Sequence, residues 1–299
     1  MCGIVGLYLK NNKLELELGK HLTTMLIGMT ERGPDSAGVA IYRDQVTDGS
    51  IKFSLFHPDE DHDWSQLATD MSNDLKVNVS DHVHFNHCVL VANSTYEEVS
   101  SWLARKHSEV TIVSVGDTME IFKDMGLPEE VAARFGIGEM SGTHALGHTR
   151  MATESAVTTA HSHPFSTGRD LCLVHNGSLS NHNRLRSWLS RKGIKFQTDN
   201  DTEVAAGYFT YRMREGDSLK EAFEAGLKDL DGFYTFAAGT KDGFAVVRDG
   251  IACKPAVLAE TDDYVAIASE FRSLSHLPGV DAAKIWEPKP LTVYSWGSA

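Results

Sequence analysis

Cysteine is scarce in this chain and widely scattered. The four residues, Cys2, Cys88, Cys172 and Cys253, form no Cys-x-x-Cys pair. That spacing argues against a disulfide framework or a structural zinc site, and no metal is expected. A reducing cytoplasm is the natural setting. The N-terminus lacks a basic region followed by an apolar run, and no stretch approaches the roughly 20 apolar residues that cross a bilayer. A cytoplasmic protein without a membrane partner is expected. Basic residues are in deficit too, with 28 Lys+Arg against 41 Asp+Glu and a formal net charge of −13. No segment is basic enough to track a phosphate backbone, which removes nucleic acid from the expected partners. Flexible linkers, internal repeats and low-complexity tracts are missing as well. With 299 residues, 41% of them hydrophobic, the chain can nonetheless bury a core without staples.

What is present reads as strands in runs and helices grouped together. Cys2 to Leu9 resembles a short buried strand. Leu14 to Thr30 has apolar residues at close to helical spacing, and the Gly33-Pro34 break precedes a return to strand at Val39 to Tyr42. Residues from about 45 to 140 read as an insertion, with strand-like runs at Val83 to Ala92 and Val110 to Val115 and a helix after Pro128. Beyond Ser141, strands are expected at His144 to Thr149 and Leu171 to His175. Helices follow at Asn181 to Lys192, Thr202 to Arg214 and Leu219 to Leu230, with Asn181, Asp201 and Ser218 as capping candidates. Four short strand candidates close the chain: Phe233–Ala238, Phe244–Arg248, Tyr264–Ala268 and Leu291–Trp296. Such grouping favours layered α+β packing in a single domain, 1–299, over a doubly wound sheet.

Four positions carry candidate chemistry. At Cys2, removal of Met1 would leave a thiol and a free α-amine on one residue. Their ordinary pKa values are about 8.5 and about 8, so the amine can act as general base for its own side chain. The bland alternative is a small apolar strand residue. Arg150, in Gly147-His148-Thr149-Arg150, is either a surface ion pair or a bidentate clamp for a carboxylate, a geometry lysine cannot copy. Asn176-Gly177 is either a tight turn or an oxyanion hole made of a side-chain amide and an unshielded backbone N–H. Asp201, in Asp199-Asn200-Asp201-Thr202-Glu203, is either a helix cap or an acceptor for an ammonium group. In this order the four describe a site for an α-amino acid attacked at its side-chain carbonyl. His82, His84 and His87 beside Cys88 are read as solvated or hydrogen-bonded rather than metal-binding. Cys88, Cys172 and Cys253 are read as inert thiols in apolar surroundings.

Taken together, Met1-Cys2-Gly3-Ile4-Val5-Gly6, Arg32-Gly33-Pro34-Asp35-Ser36-Ala37-Gly38, His148 to Thr153, His175-Asn176-Gly177, Asp201-Thr202-Glu203 and Ala268-Ser269-Glu270 resemble the class II glutamine amidotransferases. This is an N-terminal-nucleophile family. The resemblance implies a four-layer αββα sandwich and an enzyme that needs no cofactor. It implies Cys2 as nucleophile and base, Arg150 and Thr153 on the glutamine carboxylate, Asn176 and Gly177 as oxyanion hole, Asp201 on the ammonium and Arg32 as a brace. Glutamine would be hydrolysed to glutamate and ammonia through a thioester at Cys2. Met151 departs from the pattern, which commonly has an aromatic residue after the arginine. The segments Gly147–Ala156, Val247-Arg248-Asp249 and Ser269-Glu270-Phe271-Arg272 resemble the separately encoded amidotransferase subunit of glutamate-synthase-like systems, including the first subunit of N-methylglutamate synthase. That implies a hetero-oligomer with such synthase subunits. Two alternatives are an N-terminal-nucleophile amidase on another substrate and a non-catalytic glutamine-binding subunit.

Overall fold

The structure, a computed structural model, describes residues 2–152 and 156–298. Its first half runs β1 (Gly3–Leu9), α1 (Leu18–Ile27), β2 (Ser36–Tyr42), β3 (Ile51–Phe56), α2 (Trp64–Leu75), β4 (Val79–His84), β5 (His87–Ala92), α3 (Tyr96–Lys106), β6 (Thr111–Gly116), β7 (Met119–Met125), α4 (Pro128–Phe135) and β8 (His144–Arg150). The second half runs β9 (Phe165–Gly168), β10 (Leu171–Leu179), α5 (His182–Arg191), α6 (Asp201–Arg214), α7 (Leu219–Asp229), β11 (Gly232–Thr240), β12 (Gly243–Arg248), β13 (Val257–Glu260), β14 (Tyr264–Ala268), β15 (Lys284–Trp286) and β16 (Val293–Gly297).

Two antiparallel sheets stack face to face. One has the order β15-β13-β14-β1-β8-β2-β7 and the other β16-β12-β11-β10-β9. Between them lies an apolar layer that includes Ile4, Tyr42, Leu146, Val174, Phe244 and Ile267. Helices α1 and α4 cover the outer face of the first sheet, burying Leu22, Met25, Leu26 and Phe135. Helices α5, α6 and α7 cover the second, burying Leu189, Phe209 and Phe223. Strands alternate sides, so each sheet feeds two cores at once, which is why β2 is buried along its whole length. The layers are helix, sheet, sheet, helix: the expected αββα sandwich.

Residues 51–116 build a third sheet, ordered β4-β5-β3-β6 with every pairing antiparallel. Helix α2 links β3 to β4 and α3 links β5 to β6, a split βαβ plait. Its own core includes Phe53, Leu55, Trp64, Leu67, Leu90 and Trp102. Within the 45–140 segment, Met119–Met125 instead pairs with β2 in the seven-stranded sheet. The plait is fastened to that sheet by buried polar groups: Lys52 Nζ meets Glu120 Oε1 at 2.8 Å, and Ile121 N–H donates to Ser54 Oγ at 2.9 Å.

Several local readings change. The run from Val83 to Ala92 is a hairpin, β4 and β5, turned by Phe85 at φ 55°. Asn200, rather than Asp201, caps α6 by accepting from Thr202 N–H, while Ser218 does cap α7. Asn181 precedes α5 but its side-chain amide reaches the Asp229 carbonyl instead. Cys253 is exposed, not packed in apolar surroundings. Burial pushes the Cys88 and Cys172 thiols up to about 12, as expected of inert residues.

Candidate active site

Strand register brings the candidate residues to one end of the sandwich. Strand β1 lies between β8 and β14, with Gly3 opposite Thr149, so Cys2 and Arg150 leave neighbouring strands at the same end. Ser269 fixes the start of β1 from the other side: its N–H donates to the Ile4 carbonyl at 2.9 Å and its Oγ accepts from Ile4 N–H at 3.0 Å.

Cys2 is half-buried, and its carbonyl accepts two side-chain bonds. Arg32 Nε donates at 3.0 Å and Asn176 Nδ2 at 3.1 Å. Arg32 is itself held by Glu270, Nη1 to Oε1 at 2.9 Å, and Glu270 also pairs with Arg272. This gives Ser269-Glu270 a role that the sequence motif alone did not assign. Asn176 reaches Cys2 from the opposite sheet, because β10 runs on to Leu179. The Asn-Gly pair is therefore strand and not a tight turn. Gly177 has φ 151°, and a Cβ there would lie 2.0 Å from the Phe233 carbonyl oxygen, so only glycine fits.

Arg150 is buried, with Nη1 donating to the Ala156 carbonyl at 3.1 Å. The Gly33-Pro34-Asp35 turn grips the strand end around it. Asp35 N–H donates to the Arg150 carbonyl at 3.1 Å, and its carboxylate accepts from Ala152 N–H at 2.7 Å. Thr153 lies outside the described residues. Asp201 accepts from Leu179 N–H at 2.9 Å, which ties the first turn of α6 to the end of β10. A carboxylate has acceptor capacity beyond that one bond.

Behind these residues lies a buried cluster of His148, His163 and His175. His148 and His163 stack at 3.9 Å; His148 Nε2 is 2.9 Å from the His175 carbonyl. The rings of His163 and His175 both contact Thr202 Oγ1 at 2.9 Å. Burial pushes His148 down to about 3 and His163 well below the usual histidine value. The cluster is thus neutral, a set of struts joining β8, the 156–164 segment, β10 and α6. Nearby, Lys123 of β7 is buried; burial brings it down to about 7, with the negative Glu203 opposing. Among the described residues no group of three or more His, Cys, Asp or Glu is arranged to hold a metal ion, and no helix is long and apolar enough to cross a membrane. His84 faces His87 across the β4–β5 hairpin.

Comparison with known proteins shows the family. A family model described as a glutamine amidotransferase domain matches residues 148–276. Over 99% of its length the chain is 54% identical to the glutamine amidotransferase-like protein GlxB of Rhizobium meliloti, covering 98% of that protein. The chain belongs to the class II glutamine amidotransferases. A putative glutamine amidotransferase of Methanothermobacter thermautotrophicus is 33% identical over 98% of the chain and 99% of its own length. Among solved structures, the glutamine phosphoribosylpyrophosphate amidotransferase of B. subtilis superposes with a TM-score of 0.60 at 21% identity, a likeness of fold. The chain spans 49% of that enzyme's length.

The buried histidines should make this amidotransferase sensitive to acid. Burial takes His87 and His148 to about 3 and His144 to about 4. An unfolded chain would bind these protons near pH 6.5, so between about 6.5 and 4 the unfolded state carries more protons and stability falls as pH falls. Each contributes about 2 kcal/mol of loss by pH 5. Urea midpoints should therefore drop steeply from pH 7 to pH 5. Equal midpoints at those two pH values would show that the histidines protonate freely in the fold.

Proposed function

We propose that this amidotransferase hydrolyses the side-chain amide of glutamine through a thioester at Cys2 and supplies the ammonia to a separately encoded, glutamate-synthase-like partner. The observation that carries the hydrolytic half is the double hold on the Cys2 carbonyl by Arg32 and Asn176. It anchors the residue whose thiol must attack, using the residue whose amide would stabilise the product of attack.

Removal of Met1 frees the Cys2 amine. That amine takes the thiol proton as sulfur bonds to the amide carbon. The second N–H of Asn176 and the N–H of Gly177 receive the oxyanion; an amide has two donors, so bonding Cys2 does not exhaust it. Collapse breaks the C–N bond, the proton passes to the leaving nitrogen, and ammonia departs. Water then attacks the thioester and releases glutamate. Arg150 and Thr153 hold the substrate carboxylate and Asp201 its ammonium, so that the chemistry is applied to a free amino acid. The partner is inferred from the motif resemblance to the N-methylglutamate synthase type of system, in a cytoplasmic hetero-oligomer.

The test is to incubate purified protein with glutamine, measure glutamate and ammonia, and record the intact mass. Active protein should lack Met1 and release the two products in equal amounts. Activity in material that fully retains Met1 would remove the amine-as-base mechanism. Absence of turnover even with the synthase subunits added would remove the glutaminase itself.

A further inference from the structure

Arg150 can recognise a carboxylate only if the polypeptide that folds over it is held still. The 156–164 segment does this, since Ala156 accepts from the Arg150 guanidinium. It is not helix or strand, yet Thr159, Ser162 and His163 within it are buried. Buried carbonyls outside regular structure need donors from elsewhere. The donors come from β7. Lys123 Nζ reaches the carbonyls of Ser162 at 2.8 Å and of Ala160 and Pro164 at 3.3 Å. Three carbonyl acceptors surround the one nitrogen, matching the three N–H groups that it carries when protonated. The next residue, Asp124, accepts from Thr159 Oγ1 at 2.7 Å. The Lys123 ammonium also lies 4.6 Å from the centre of the Phe165 ring, which favours a cation there. Opposite, a Cβ on Gly38 would come within 2.2 Å of the His163 carbonyl oxygen, so the segment is pressed directly onto β2.

We infer that Lys123 is a positioning residue for substrate recognition: by satisfying three carbonyls of the 156–164 segment it fixes the backbone that orients Arg150 on the α-carboxylate of glutamine. This rests on the reading of Arg150 given above. Lys123 has no part in the bond-making steps, and its loss acts through Arg150.

The experiment compares two electrophiles on Cys2. A glutamine-shaped diazoketone, 6-diazo-5-oxonorleucine, needs the carboxylate clamp; iodoacetamide needs only the thiol. In Lys123→Met the diazoketone rate should fall about tenfold, and KM for glutamine rise similarly, with kcat and the iodoacetamide rate within about twofold. Equal losses with both reagents, or no loss with either, would overturn the inference. Thr159→Val, a near-isosteric change that removes only the Asp124 bond, should move the diazoketone rate in the same direction by less. If Lys123→Met does not fold, an unchanged diazoketone rate in Thr159→Val overturns the inference instead. Arg150→Lys is run alongside. If it leaves reagent selectivity intact, the reading of Arg150 fails; if it alone shifts selectivity, only the role of Lys123 fails.

Discussion

Cys2→Ala should lower glutamine hydrolysis by at least about 10⁴-fold while glutamine still binds, because removing a nucleophile leaves only the contribution of the surrounding site. The backbone bonds from Arg32 and Asn176 go to the Cys2 carbonyl and not to its side chain, so alanine keeps them. Calorimetry should therefore find glutamine affinity within about threefold of the parent, since the change removes no group assigned to substrate binding. A second variant isolates the amine. An uncleavable extension ahead of Cys2 retains the thiol but turns the amine into an amide, which cannot accept a proton at neutral pH. It should be as inactive as Cys2→Ala. Parent-like turnover in the extended protein would require another base, and the neutral His148, His163 and His175 cluster would become the place to look for it. Parent-like turnover in Cys2→Ala would end the nucleophile assignment and require a different attacking group.

The parts of this site that were legible in the sequence are those whose chemistry demands one residue type at a chain landmark. Cys2 immediately precedes the first strand, Arg150 ends one and Asn176-Gly177 lies near the end of another, so a short motif located each. Layered α+β packing was legible in the grouping of strand-like and helix-like runs, and the αββα sandwich in the family resemblance; α6, buried along most of its length, and β2, buried throughout, carry little one-sided periodicity of their own. The plait was not. Its β4–β5 hairpin turns through Phe85-Asn86, with neither glycine nor proline to mark the reversal, and Phe85 takes a positive φ while packing against Phe135. Helix α2 is capped by Asp63, hidden among the acidic residues 59–63, although the Thr95–Glu98 capping box of α3 was there to be read. Lys123 was invisible for a different reason. In Met119–Met125 a lysine reads as the solvent side of an edge strand, and the 156–164 segment that covers it is remote in sequence. The histidine struts have the same origin: pairs such as His148 and His175 are 27 residues apart and meet only after the sheets stack.

Arg150→Lys should raise KM for glutamine by about 10²-fold with little change in kcat, because lysine keeps the charge but offers a point donor where a planar fork is needed. The loss should appear in discrimination as much as in affinity. If Arg150 binds the α-carboxylate, the parent protein should reject glutaminamide by a large factor, since that analogue leaves a buried guanidinium facing an uncharged group. The variant has less to lose, so its preference for glutamine over glutaminamide should shrink. Asp201→Asn offers the complementary measurement. Its bond from Leu179 N–H can be kept by the asparagine carbonyl, so α6 stays tied to β10, while the negative charge that would meet the substrate ammonium is gone. Preference for glutamine over its analogue lacking the α-amine should fall in Asp201→Asn and hold in Arg150→Lys; preference over glutaminamide should do the reverse. Crossed losses of this kind cannot come from general loosening of the site, which would weaken both preferences in both variants. Uncrossed losses would mean that one residue, or neither, touches the amino acid, and would favour an amidase acting on a substrate without a free α-amino acid end.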